Sequence, residues 1–248
     1  AIPERSAARW GARLMRTMRA LLFYAVWFPV SAAMAAWAMA TARNRPDEIL
    51  RHMRRWARFS LWAVSAICGI RYRVTGLDRL PKGAVILASR HQSAFDTIVW
   101  FHLVPNASYV LKDQLTKLPF AGPLLVPAGM IAVDRDGGAK TMRGLIKDGR
   151  QAVRDGRQIV IFPEGTRAPP DQLLPLQPGV AALAAIAKVP VHPVLTDSGL
   201  FWGRRAFGKR PGTIQIEVCP PLPSDIERQD FMDRLQAELA RPLSPIDR

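Results

Sequence analysis

Cysteine, histidine and negative charge are all scarce in this 248-residue chain. Its two cysteines, Cys68 and Cys219, have no metal or redox spacing and read as buried, reduced packing residues. Of the four histidines, His52, His102 and His192 stand without any ligand spacing, so neither a metal centre nor a cofactor is expected. No Gly-x-Ser-x-Gly elbow is present, and an acyl-serine mechanism is correspondingly disfavoured. Internal repeats and long linkers are also missing, which leaves room for one catalytic domain of ordinary core size plus a small appendage. Twenty acidic residues face 35 basic ones, for a net charge of +15. Such an imbalance calls for a polyanionic partner: nucleic acid, an anionic membrane surface or a phosphorylated substrate.

The charge is concentrated at the N-terminus. Residues 1–58 hold eleven arginines against three acidic residues. Arg5, Arg9, Arg13, Arg16 and Arg19 recur at steps of three and four, a stripe on one side of a helix suited to anionic headgroups. Ala20 to Ala42 then runs 23 residues without a charge, long enough to span a bilayer. A cleaved signal peptide fits poorly, because basic residues resume at once with Arg43, Arg45, Arg51, Arg54, Arg55 and Arg58. Basic flanks on both sides favour the cytoplasmic face for each of them, and Pro29 should kink or break a straight helix. Phe59 to Ile70 is a second uncharged run, too short to span. The expectation is a membrane-associated helical hairpin over 1–70 that dips into one leaflet; a single transmembrane anchor is the alternative. Trp10, Trp27, Trp37, Trp56 and Trp62 concentrate in the same region and suit a membrane interface.

From Arg71 to the C-terminus the pattern is α/β. Short apolar runs at 72–74, 84–89, 108–112, 130–133, 158–162, 191–195 and 213–218 read as strands. Between them, 139–155 reads as an amphipathic helix with Leu145, Ile146 and Val153 inward and Gly156 at its C-cap. Residues 180–188 form a small-residue helix. Ser224-Asp225-Ile226-Glu227 is a capping box opening a last helix with Phe231, Leu235 and Leu239 on one face. The fold class expected is α/β: a mixed, partly parallel sheet flanked by helices, with functional turns gathered at the strand C-termini.

Two of those turns carry chemistry. Phe162-Pro163-Glu164-Gly165-Thr166-Arg167 follows a buried strand, which Pro163 ends and Gly165 lets turn. A carboxylate, exposed N–H groups and a planar guanidinium there suit an anionic ligand such as a phosphate monoester. Earlier, Arg90-His91-Gln92-Ser93-Ala94-Phe95-Asp96 places a histidine between a strand and a helix. Ser93 and Asp96 have capping-box spacing, so Asp96 can cap the helix and still point back at His91. In mid-helix, residues five apart would diverge by about 140°, so the pair meets only because a turn intervenes.

In this order the two stretches resemble the glycerolipid acyltransferases, the family of 1-acylglycerol-3-phosphate acyltransferases. Two further blocks extend the likeness: Val110-Leu111-Lys112-Asp113-Gln114-Leu115 continuing to Gly129-Met130-Ile131-Ala132-Val133-Asp134-Arg135, and Val189-Pro190-Val191-His192-Pro193-Val194. The resemblance covers about residues 70 to 220. One departure is Arg90, where the family usually has Asn. The resemblance implies direct acyl transfer from a thioester, with acyl carrier protein or coenzyme A as carrier, to the sn-2 hydroxyl of lysophosphatidic acid. With the basic flanks of the apolar run, the expectation is a domain at the cytoplasmic face of the inner or plasma membrane. His91 and Asp96 match the catalytic pair, Lys112 and Arg167 match phosphate-binding positions, and Glu164 matches the third block, where it either anchors the turn or takes part in the site.

Elementary chemistry supports those assignments. A base near neutral pKa must take the hydroxyl proton, as His91 can. Asp96 can fix its tautomer, and N–H groups around Gly165 and Thr166 can receive the oxyanion. Another lysolipid acceptor is the nearest alternative. A non-catalytic basic protein binding membrane or nucleic acid is the alternative of another class, but it leaves four ordered blocks unexplained; no nucleic-acid partner is expected.

Overall fold

A computed structural model describes residues 2–134, 138–223 and 226–244, and of residues 2–9 and 12 the backbone alone. Arg135 and the Ser224-Asp225 half of the expected capping box, like the Arg5 and Arg9 side chains, lie outside the described part. The chain opens with two long helices, α1 (Ile2–Ala42) and α2 (Pro46–Cys68), paired as a hairpin. Pro46 occupies the first turn of α2, Asp47 and Glu48 answer the helix dipole there, and Gly69 at φ 70° ends it. Contrary to expectation, α1 runs unbroken through Pro29. The partner helix supplies a reason. Trp27 Nε1 donates to Ser60 Oγ at 2.8 Å and Trp56 Nε1 to Ser31 Oγ at 2.9 Å, so α2 grips α1 just before and just after the proline. Trp27 and Trp56 therefore serve the hairpin seam, whereas Trp10, Trp37 and Trp62 are exposed.

Seven strands make one sheet in the order β1-β7-β6-β2-β5-β3-β4. They are β1 (Ile70–Thr75), β2 (Val85–Ser89), β3 (Ala107–Lys112), β4 (Ile131–Val133), β5 (Gln158–Ile161), β6 (Val191–Thr196) and β7 (Gly212–Val218). All neighbours are parallel except β6 and β7. The central strands β2 and β5 are buried throughout, which explains their unbroken apolar runs.

Helices cover both faces. On one, α1, α2 and α3 (Asp96–Leu103) share a core with the sheet that joins Phe23, Ile49 and Val64 to Leu87, Trp100 and Val160. On the other, α5 (Gly138–Arg154), α6 (Gly179–Ala187) and α8 (Arg228–Ala240) pack through Leu145, Leu183, Phe231, Leu235 and Leu239. A Cβ on Gly149 would come within 2.3 Å of Leu183 Cδ1, so this glycine lets α5 close on α6. Residues 115–127, an apolar, proline-rich connection, contain the end of a 3₁₀ turn (Asp113–Lys117) and the short helix α4 (Gly122–Leu125). A one-turn helix, α7 (Ser198–Phe201), lies between β6 and β7.

Candidate active site

Parallel pairing of β2 with β5 puts their C-terminal ends side by side, and the two motif turns follow directly. The His91 N–H donates to Glu164 Oε2 at 2.9 Å, and the Ala168 N–H donates to the His91 carbonyl at 2.7 Å. The first and third blocks are thus sewn together by backbone, although 73 residues separate His91 from Glu164.

Asp96 opens α3 and turns its carboxylate back over the preceding loop. A single oxygen, Oδ2, accepts the Gln92 N–H at 2.7 Å and the Ser93 N–H at 2.8 Å, and lies 3.2 Å from His91 Nδ1. An ionised carboxylate only accepts, so Nδ1 carries the proton and Nε2 is the basic nitrogen. Asp96 both caps the loop and orients the imidazole. Ser93 is fully buried, and its hydroxyl accepts the Phe95 N–H at 3.1 Å, which removes it as a nucleophile. The Phe162 ring stacks on His91 with centroids 4.1 Å apart, fixing the imidazole from its face.

Glu164 has no exposed side-chain surface. Burial pushes its carboxyl above the ordinary range, against the pull of the His91 N–H and of Arg90. Arg90 Nε stands 3.6 Å from Glu164 Oε1, too long for a hydrogen bond, so the two interact by charge alone. Its Nη2 donates to the Gln172 carbonyl. This arginine, which sequence reasoning noted only as a departure from the family, supplies the counter-charge for the third block's buried carboxylate. The Gly165 N–H closes the turn onto the Phe162 carbonyl at 2.9 Å, with Gly165 at φ 67°. Of the two N–H groups considered for an oxyanion, that of Thr166 is the one without a protein partner among the described residues.

His91 opens onto a cavity of about 1460 Å³, larger than the roughly 300–1,000 Å³ of ordinary ligand pockets. Lys112, at the end of β3, and Arg167 both line it, as does Thr166. So does Arg204, which no motif marked and whose guanidinium donates to the Arg167 carbonyl at 3.1 Å. The cavity is mostly apolar and runs between layers: Trp27, Ser31, Met53 and Trp56 of the hairpin form one wall, Leu115, Leu118 and Phe120 another, Met142 and Leu145 of α5 a third. His52 also lines it, inside α2. His192 is buried in β6, its Nδ1 2.8 Å from the Cys219 carbonyl. Among the described residues no cluster of His, Cys, Asp and Glu could hold a metal.

Comparison with known proteins decides the family. Residues 71–197 match the acyltransferase family model, just over half of the chain. The chain belongs to the acyltransferase family. It is 33% identical over 218 residues, 86% of this chain and 84% of the relative, to a 1-acyl-sn-glycerol-3-phosphate acyltransferase of Pseudomonas aeruginosa. Similarity extends to the human 1-acyl-sn-glycerol-3-phosphate acyltransferase alpha, 26% identical over 83% of this chain and 72% of that protein. The crystal structure of the 1-acyl-sn-glycerophosphate acyltransferase from Thermotoga maritima superposes with a TM-score of 0.70 over 94% of this chain and 95% of that one, at 17% identity. That likeness shows a common fold, including the α/β sheet and the helices before it. Among its described residues this acyltransferase also carries one segment, Arg13–Ala42, long and apolar enough to cross a membrane, which suggests membrane association.

Proposed function

We propose that this acyltransferase moves a fatty acyl group from a thioester to the sn-2 hydroxyl of lysophosphatidic acid, yielding phosphatidic acid. One observation carries the proposal: the oriented His91–Asp96 pair opens onto a single large apolar cavity that also presents Lys112 and Arg167. Two acyl chains need apolar room, and a phosphate monoester needs cationic donors. His91 Nε2 takes the proton of the acceptor hydroxyl as its oxygen attacks the thioester carbonyl. The oxyanion of the tetrahedral intermediate is received by the Thr166 N–H. Collapse of that intermediate expels the thiolate, which takes the proton back from the imidazolium. Asp96 holds the imidazole in the tautomer this cycle requires and balances its transient charge.

The hairpin over residues 1–70 sets the cavity against the lipid surface in this reading. Exposed Leu14, Met18, Leu21, Leu22 and Phe28 on α1 support it, and the arginines on both sides of the apolar run favour the cytoplasmic face. Residues 71–248 form the catalytic domain, presented on that face. The test is acyl transfer by purified protein in liposomes, with palmitoyl thioesters of both carriers. Phosphatidic acid formation that collapses in His91→Ala is expected. A folded enzyme that leaves lysophosphatidic acid untouched but acylates another lysolipid would move the acceptor assignment.

A further inference from the structure

Helix α5 has two faces with different tasks. Its inner face is absorbed by the core and the cavity wall through Met142, Leu145, Gly149 and Ala152. Its outer face carries Lys140, Arg143, Lys147, Arg150 and Arg154, all exposed. At 100° per residue these five fall within an arc of about 80°, directed away from the buried side, and span about 21 Å along the axis. None of the five forms an ion pair with a carboxylate of the described residues. The nearest acidic residues on the helix side lie off the arc; Asp155, at its end, is turned to Arg157 and Gln151. A stripe of five cations on one helix costs self-repulsion. This one starts at the rim of the cavity, since Ala139 and Thr141 on either side of Lys140 line it.

We propose that this face of α5 is the docking surface for the acyl donor's carrier when that carrier is a small acidic protein. The proposal rests on the thioester chemistry proposed above. Two observations favour a soluble acidic protein over lipid. Helix α5 lies on the face of the sheet opposite the α1–α2 hairpin, so it points away from the surface the hairpin would touch. It also exposes no large apolar side chain, whereas a helix that lies on a bilayer must bury an apolar face in it. Charge of one sign around a cavity mouth raises encounter rates by roughly 10–10³ and makes them salt-dependent. A carrier seated along the stripe would have its thioester arm start at the cavity rim.

The test uses the full chain with Lys147→Glu, Arg150→Glu and Arg154→Glu combined, since none of these side chains lines the cavity. Transfer to lysophosphatidic acid is measured with palmitoyl thioesters of acyl carrier protein and of coenzyme A, at several salt concentrations. We expect kcat/KM with the carrier protein to fall at least tenfold, mostly through KM, and its salt dependence to flatten, while transfer from coenzyme A stays within twofold. The neutral triple variant with Gln at the same positions should fall between. Equal losses with both donors, or no loss with the carrier protein, would overturn the proposal. So would a loss of binding to anionic phosphatidylglycerol vesicles, which would give the stripe to the membrane. If wild-type enzyme uses the coenzyme A thioester but not the carrier protein, the docking surface fails and the catalytic proposal stands; if it uses neither, the catalytic proposal itself fails.

Discussion

Replacing Arg90 with Met should destabilise the protein in a way that depends on pH. The change keeps much of the side chain's volume but removes the cation 3.6 Å from a carboxylate that has no exposed surface. At an effective dielectric of ~20, that separation corresponds to about 4–5 kcal/mol of attraction, in line with the roughly 3–5 kcal/mol lost when one partner of a buried pair is removed. Glu164 has one escape, which is to take up a proton. Its pKa is already raised by burial, and Arg90 is among the groups holding it down. Loss of Arg90 raises it further. Because the folded state then binds more protons than the unfolded one, stability declines as pH rises from the ordinary carboxylate range through the raised value, at up to about 1.4 kcal/mol per unit. The penalty should therefore be smaller at pH 5 than at pH 8, and a loss of about 3–5 kcal/mol lowers the melting temperature by roughly 6–20 °C. Circular dichroism melts of the detergent-solubilised enzyme at both pH values measure it. Adding Glu164→Gln to Arg90→Met should restore part of the loss, because the amide oxygen still accepts the His91 N–H without a buried charge. A melting shift equal at pH 5 and pH 8, or a double variant no better than the single one, would refute the pairing.

Three further outcomes are expected. His91→Ala should lower kcat by roughly 10²–10⁴ without unfolding the protein, and Asp96→Asn should cost both rate and stability because Oδ2 serves two N–H groups besides His91; initial-rate assays with parallel melts separate the two effects. Lys112→Ala and Arg167→Ala should raise KM for lysophosphatidic acid far more than for an uncharged monoacylglycerol, and equal effects on both acceptors would dissociate these residues from the phosphate. Lys209 is buried against the rings of Phe23, Tyr24 and Trp202, and desolvation lowers its pKa to about 8. Its folded state sheds a proton that the unfolded state keeps, so wild-type stability should rise between about pH 8 and the ordinary lysine range near 10.5; Lys209→Met should abolish that rise in melts across the same window.

Much of this architecture was legible because it is local. The strands announce themselves as apolar runs, and all seven lie within a residue or two of the expected bounds. The same holds for the span of α5, within a residue of the expected 139–155, and Leu145 and Val153 face the core as expected, whereas Ile146 is half-exposed and stays outside it. The His91–Asp96 arrangement could be anticipated because a single turn decides it. What stayed hidden depends on partners distant in sequence. Pro29 looked like a break because nothing near it shows that Ser60 and Trp56 will brace both sides. Arg90 looked like an oddity because Glu164 lies in the turn after another strand, β5. Arg204 carries no motif at all and reaches the site only because the loop after α7 folds back on Arg167. The turn hydrogen bond that occupies the Gly165 N–H is a matter of backbone geometry, to which side-chain identities are nearly blind.

The edge strand β1 gives the chain an order of events. It pairs along its whole length with β7, Ile70 against Gly212 and Thr75 against Glu217. The hairpin before it closes on contacts only 25 and 33 residues apart. At ribosomal rates of about 5–20 residues per second, the strand that completes the sheet edge emerges roughly 7–28 s after β1. Throughout that interval the nascent chain holds a finished helix pair, with the exposed apolar side chains of α1 uncovered, beside an unpaired strand. On the membrane-associated reading proposed above, lipid is a cover open to those helices in the meantime, and the bilayer would then act as a holding surface on which the sheet is assembled.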